Sequence, residues 1–350
     1  MQYPLRNPAR ITIKDVARAA GVSAQTVSRV INDRPDVAED TRQRVQQIID
    51  DLSYQPSALA RSLIQKRSFT LGVVIAGLKY IGPSRTLNGI AQRAEELGYS
   101  LLLKELPNFT AVEYHSLIQS LLARHVDGII WATSEVGDNQ SWVTEGILEI
   151  PVPTIFLTTH ARPGVFSVSY DNYLGGRKAV QHLIDQGYRR IGHVTGPLDW
   201  WEARERKAGW EDVLTESDLS AADICCCEGN WSSASGEQAF RQLMESFPEI
   251  EAVFVANDQM ALGVLQHAAR IGKRIPQELG VVGFDGIPET RHYWPPLTTV
   301  FQDQNRLGFT AVEKIVEIIE RFREEGEAIE PETIILLPEL IIRDSSIKKK

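Results

Sequence analysis

A chain of 350 residues with 43% hydrophobic and 24% charged residues has the composition of an ordinary soluble globular protein and the length for two or three domains. No apolar run reaches the roughly 20 residues of a membrane-crossing helix, and the N-terminus has no apolar stretch of the secretory-signal kind, so no membrane partner and a cytoplasmic location are expected. The net charge of −9 is uneven: residues 1–68 carry +4 and the rest −13, as suits one basic end facing a polyanion and an acidic body kept away from it.

Residues Ile11 to Asn32 parse as two short helices around a tight turn. Thr12 caps the first, with Asp15 three residues on as in a capping box. Ile13, Val16, Ala17 and Ala20 make its apolar stripe at helical spacing. Gly21 supplies the turn, and Ser23 caps a second helix through Gln25, Thr26, Ser28 and Arg29. Val27, Val30 and Ile31 anchor that helix inward. Gln25, Ser28 and Arg29 face outward, and amide, hydroxyl and guanidinium groups are what base edges and phosphates accept. A third amphipathic helix, about residues 38–52, buries Val45, Ile48, Ile49 and Leu52. Three helices over some fifty residues suit a DNA-binding headpiece. A headpiece of +4 is modestly basic, so one copy should bind weakly and a dimer is the remedy.

Pro56 ends this unit and Ser57 caps a following helix, Ala58 to Ile64. At under two turns it is marginal alone in water and would order on meeting DNA or a second copy. From Phe69 the pattern changes. Strands are expected at 69–76, 99–103, 128–132, 154–157, 190–195, 252–256 and 280–284. Helices are expected near 85–97, 112–124, 175–186, 202–214, 233–244, 259–271 and 305–325. Apolar strands alternating with amphipathic helices mean parallel sheets covered on both faces, and some 270 residues of this are too many for one small core. Cys225 to Cys227 are consecutive, so as strand residues they cannot all point at one metal and read as apolar filling.

These segments resemble the LacI/GalR family of bacterial transcription regulators. The carrying stretches are IKDVARAAGVSAQTVSRVIN (13–32), YQPSALARSL (54–63), GWEDVL (209–214), VANDQMALG (255–263), GVVGFDGIPE (280–289) and PPLTTVFQD (295–303), in order along nearly the whole chain. The resemblance implies an α/β fold: a two-lobed core of parallel sheets flanked by helices, similar to periplasmic binding proteins, behind an all-α helix-turn-helix headpiece. It implies the headpiece at 1–56, a hinge at 57–68 and a core at 69–343. Within that core, one lobe takes about 69–168 and 303–328, the other about 169–302 and 329–343. It implies a homodimer on a palindromic operator in double-stranded DNA, with a small effector between the lobes and no further cofactor.

Matched residue by residue, Ala24 and Gln25 hold the two base-reading positions that open the recognition helix, and Arg29 matches a guanidinium that contacts bases further along. Thr26 and Ser28 match phosphate contacts, and Thr12, Ser23, Asn32, Ser57 and Ala60 complete the DNA-facing set. Leu63 matches a hinge leucine that wedges into the minor groove. Ala24 has no hydrogen-bonding group, so it reads a thymine methyl or is plain helix filler.

Ligands of open α/β sheets bind beyond the strand C-terminal ends. There the resemblance places Asp171, Arg206, Asn257, Asp285 and Gln302, whose charge-assisted hydrogen bonds would grip hydroxyls, and Trp231, which would stack on an apolar ligand face. Asn257 and Asp258 are equally suited to capping the helix at Gln259, the reading preferred for Asp258. Trp200 and Trp201 follow Gly196-Pro197 at another strand end, and one of them should line the cleft. With Trp131 and Trp231 they suggest an aromatic pocket, which favours a sugar; a nucleobase or nucleoside corepressor also stacks and remains the alternative. The chain contains no nucleophile elbow, phosphate-cradling loop or metal-ligand spacing, which argues against an enzyme. The headpiece argues against a plain carbohydrate carrier. His160, His182 and His193 read as structural or surface residues.

Overall fold

The structure, a computed structural model, describes residues 11–54, 67–109, 114–143, 147, 150–219, 221, 225–324 and 329–348. The chain divides into two units, Met1–Phe69 and Thr70–Lys350. The hinge expected at 57–68, with Ser57, Ala60 and Leu63, lies outside the described residues up to 66.

The first unit holds helices α1 (Ile13–Ala20), α2 (Ala24–Ile31) and α3 (Glu39–Asp51). The Asp15 carboxylate accepts from the backbone N–H of Thr12 at 2.9 Å and from its hydroxyl at 2.7 Å, satisfying the start of α1. Gly21 ends that helix at φ 64°, a left-handed conformation that an L side chain resists. The Ser23 hydroxyl accepts from the Thr26 N–H at 3.0 Å and starts α2. Val16, Ala20, Val27, Val30, Val45 and Ile49 meet in one small core. Ile48 and Leu52 pack at its edge, half-buried.

The second unit has two six-stranded sheets. The first, in order β11-β5-β4-β3-β1-β2, contains β1 (Thr70–Ala76), β2 (Ser100–Leu106), β3 (Gly128–Ala132), β4 (Thr154–Leu157), β5 (Phe166–Tyr170) and β11 (Thr333–Leu336). The second, in order β12-β10-β9-β8-β6-β7, contains β6 (Ile191–Thr195), β7 (Cys226–Glu228), β8 (Ala252–Val255), β9 (Gly280–Asp285), β10 (Thr298–Phe301) and β12 (Glu339–Ile341). Among the described residues, these strands pair in parallel except β10 with β12. Helices α4 (Ile81–Glu96), α5 (Tyr114–Leu122) and α10 (Gln304–Glu324) go with the first sheet. Helices α6 (Asn172–Asp185), α7 (Trp201–Glu216), α8 (Ser233–Ser246) and α9 (Asp258–Arg270) go with the second. Fully buried strands such as β3 and β8 carry apolar residues throughout because helices cover both faces.

Two lobe boundaries differ from the expectation. The first lobe keeps all of β5, so the chain first leaves it at Tyr170 and not at residue 168. Residues 333–336 also belong to the first lobe: β11 pairs in parallel with β5, Ile334 opposite Val168, and the chain crosses over only afterwards, at Pro338. The physical reason is a vacant edge beside β5, which the returning chain fills before β12 closes the other sheet.

Candidate functional site

The outer surface of α2 carries Gln25 and Arg29 exposed, with Ala24, Thr26 and Ser28 half-buried beside them. Arg29 pairs with Asp36 at 3.3 Å in the open, a contact that water screens and that costs little to release. The Ser23 and Thr26 hydroxyls lie 2.9 Å apart. Asn32 turns back on its own helix, its amide donating to the Ser28 carbonyl at 2.7 Å. Thr12 stays exposed at the start of α1.

In the core, the loops beyond the strand C-terminal ends of both lobes enclose a pocket of about 70 Å³. Tyr80 and Ser134 come from the first lobe; Trp200, Glu202, Arg206, Trp231, Asn257 and Asp285 come from the second. Arg206 is the pivot. It is 5% exposed, its Nη1 donates to the Ala256 carbonyl at 2.5 Å and its Nε to Asn172 Oδ1 at 2.9 Å. Its guanidinium lies 3.8 Å from the Phe284 ring centroid and 5.6 Å from that of Trp231. Asp285 sits 3.5 Å from Arg206 Nη1. Burial raises the Asp285 carboxyl to about 6 even though the Arg206 charge opposes this.

Two wall residues hold left-handed backbone, Trp231 at φ 72° and Asp285 at φ 99°. Non-glycine residues pay for that conformation, and such strain concentrates at ligand sites. Asn257 braces the first of them: its amide donates to the Trp231 carbonyl at 3.0 Å while its oxygen caps α9 by accepting from the Met260 N–H at 2.8 Å. The cap is therefore Asn257, not Asp258. Asp258 is the first residue of α9, fully buried, and accepts from the Ile287 N–H and the Thr299 hydroxyl at 2.9 and 2.6 Å. It ties the Asp285 loop to the sheet, and burial raises its carboxyl well above the ordinary range.

A polar chain links the lobes behind the pocket. Thr86 donates to Gln304, Gln304 to Gln302 and Gln302 to Asn172, each at 3.1 Å. Gln302 lines an adjoining pocket with Asn172 and Glu202. At the rim, Gly137 N–H donates to the Asp199 carbonyl at 2.8 Å and Trp201 N–H to the Glu135 carbonyl at 3.0 Å, stitching one lobe to the other through backbone. The Glu135 carboxylate is held by the Thr159 hydroxyl, His160 and Arg162.

Three expected cleft residues, Trp131, Asp171 and Trp201, are not among those lining the pocket. Trp131, 1% exposed, packs on Trp142 and Phe156 inside the first lobe, because its position on β3 turns it to the sheet face that these side chains cover. Asp171 caps α6, accepting from the Leu174 N–H at 2.7 Å. Of the tryptophan pair, Trp200 lines the pocket, and Trp201 begins α7, half-buried. His193 is buried, its Nδ1 against the Phe254 carbonyl at 2.9 Å, and desolvation drops it to about 3, so it is neutral. His182 meets Ser346 at 2.7 Å.

Tyr80, Ser134, Asn172 and Glu202 were not legible as pocket residues. For Glu202 a signal exists: it stands four residues before Arg206 on one helix, hence on the same face. Glu202 Oε1 accepts from Ser134 Oγ across the lobes at 3.4 Å, and its Oε2 is buried without a partner. Burial raises this carboxyl to about 7, against the pull of Arg206. The Trp231 indole N–H is likewise buried and unpartnered. Two of the residues lining the pocket thus each hold a buried polar atom without a partner, one donor and one acceptor, beside two indole rings.

Residues 12–57 match the profile of bacterial regulatory proteins of the lacI family, and residues 180–346 that of a periplasmic binding protein-like domain. The chain is 33% identical over 325 residues to the lactose operon repressor of Escherichia coli (strain K12), spanning 93% of this chain and 89% of that one. It is 33% identical over 336 residues to the HTH-type transcriptional repressor PurR of Glaesserella parasuis serovar 5, spanning 95% and 98%. Among solved structures, the Lac repressor dimer bound to operator and the anti-inducer ONPF superposes with a TM-score of 0.84 at 32% identity, covering 96% of this chain and 99% of that one.

Proposed function

The chain belongs to the LacI family of bacterial regulatory proteins, and from that premise we propose that its effector is a sugar held between the two lobes of the core. The protein is a DNA-binding transcriptional repressor and not an enzyme, and it acts on operator DNA as a homodimer. Its working compartment is the cytoplasm, where the operator is. Gln25 and Arg29 read base edges, Ala24 meets a thymine methyl, and Thr26 and Ser28 hold phosphates. Thr12, Ser23 and Asn32 fix the helices that present them.

The observation that carries the sugar reading is the pairing of orphan groups with aromatic walls. A pyranose offers C–H faces to Trp200 and Trp231, hydroxyl donors to Glu202 Oε2 and Asp285, and hydroxyl acceptors to Arg206 and the Trp231 indole N–H. A ligand touching both lobes favours one arrangement of them and so shifts operator affinity by its differential binding. The PurR relative supports a nucleobase as the second reading, since a purine stacks on the same rings. The test is a thermal-shift screen of the full chain against saccharides and purines, followed by operator binding with each hit. A saccharide that raises the melting temperature and changes operator affinity supports the sugar; a purine that does both, with no saccharide response, replaces it.

A further inference from the structure

The segment that follows α2 folds back onto that helix. The Arg34 N–H donates to the Arg29 carbonyl at 2.9 Å and the Asp33 N–H to the Val30 carbonyl at 3.1 Å, the two bonds of a Schellman motif. Asp33 takes its left-handed position at φ 50°, and Pro35 then bars another helical turn. Two anchors fix the loop. From α3, Arg42 donates to the Asp33 carboxylate at 2.6 Å and to the Arg34 carbonyl at 2.5 Å. Further on, Val37 packs half-buried against the headpiece core. Asp36 lies between these anchors, exposed, its Oδ2 3.3 Å from Arg29 Nη1. Arg29 therefore supplies both the carbonyl that ends the helix and the guanidinium that the returning chain meets.

A carboxylate in this place works against the attraction of the headpiece to a polyanion. No acidic residue occurs in α2, and a negative charge beside Arg29 weakens its pull on phosphates. Folding gains little in return, since both partners are half-exposed in water. What the carboxylate supplies is direction. A guanidinium spreads its N–H donors over a planar fork, so it can hold a carboxylate on one side and offer the rest to O6 and N7 of a guanine. A duplex lying on α2 removes the water that screens the pair in the free chain, which strengthens it. A side chain already aimed also loses less rotamer freedom on docking.

We propose that Asp36 is a specificity-determining residue of operator binding: it positions the Arg29 guanidinium for its base, and its charge lowers affinity for DNA on which Arg29 finds no partner. This rests on the reading of Arg29 as a base contact. Non-specific binding is almost wholly phosphate attraction, so an added negative charge is felt most there. On the operator the base contact offsets it. Asp36 touches no base itself and acts through Arg29.

The experiment selects a site from a randomised duplex pool with the full-length chain. Fluorescence anisotropy at fixed salt then compares that duplex, its single-base variants and a scrambled duplex. Asp36→Asn should cut the preference at the base pair read by Arg29 by about tenfold. It should bind the scrambled duplex at least as tightly as wild type and keep the wild-type melting temperature. Asp36→Glu should retain most of the preference, and Asp36→Asn added to Arg29→Ala should cost no further selectivity. Equal weakening on selected and scrambled duplexes makes Asp36 a structural residue and overturns the proposal. Preference lost at a base pair other than the one Arg29→Ala affects makes Asp36 a direct reader and overturns it too. Full preference in Asp36→Asn, with Arg29→Ala losing it, overturns the positioning role alone. Arg29→Ala with every preference intact overturns the base-reading role of Arg29, and the positioning role with it.

Discussion

Replacing Glu202 by Gln should make the protein more stable at alkaline pH and leave it unchanged at acid pH. Burial in the cleft holds the Glu202 carboxyl at about 7 against an ordinary 4.5, with Oε2 unpartnered and only Ser134 donating to Oε1. Below pH 4.5 the group is protonated in folded and unfolded chains alike. As pH rises from there, the unfolded carboxyl ionises while the folded one keeps its proton, so the folded state binds more protons and stability falls with pH until about 7. A gap of about 2.5 pH units corresponds to about 3 kcal/mol at 1.36 kcal/mol per unit. Solvent reaches the cleft, and screening there leaves an expected ~1–2 kcal/mol. Asp285 and Asp258, both raised by burial, impose the same trend on both proteins, so the variant is compared with wild type and not with an absolute curve. Thermal melts from pH 4 to pH 8.5 without effector should show the two proteins nearly coinciding at the acid end and the variant a few degrees higher at the alkaline end. Parallel curves across the whole range would refute the argument that burial without a partner sets the charge of Glu202.

Other substitutions probe other links. Arg29→Ala should weaken binding to a specific operator by ~1–3 kcal/mol in fluorescence anisotropy at fixed salt, and an unchanged preference among operator variants would remove Arg29 from base reading. Gly209→Ala places a Cβ 2.3 Å from the Tyr173 carbonyl, backbone that cannot turn aside, so α6 and α7 must part. Chemical denaturation should show a loss of ~2–3 kcal/mol, and full stability would mean the helices separate freely. Gly196→Ala places a Cβ 2.0 Å from the Trp231 ring and should displace that indole, lowering effector affinity at least tenfold in titration calorimetry; undiminished binding would exclude Trp231 as a wall of the site. Trp294 is 91% exposed in a chain that works as a dimer. Trp294→Arg should raise the dimer dissociation constant by tenfold or more in sedimentation equilibrium, and an unaltered constant would place the interface elsewhere.

The headpiece was legible because its information is local. The Thr12–Asp15 and Ser23–Thr26 caps, the turn at Gly21 and the 3.6-residue apolar stripe each act within four residues, and a local pattern can be read without knowing what packs against it. The alternation of strand and helix in the core was legible for the same reason, and Arg206, Trp231, Asn257 and Asp285 were locatable because strand ends are where such sheets meet ligands. Which tryptophan faces the pocket was a tertiary decision. Trp131 lies on β3, covered on both faces, where an apolar residue carries no mark of which face it takes, and Trp200 stands in the loop before α7, where only the approach of the other lobe decides what it faces. The same holds for β11, whose apolar run fits either sheet until the open edge of β5 selects one. The spacing to Arg206 puts Glu202 on the same helix face, but nothing along α7 alone marks that carboxyl as buried. Only the approach of Ser134 from the other lobe, 68 positions away in the chain, makes it a buried carboxyl, because burial depends on what the fold brings up against a side chain and not on its neighbours in sequence.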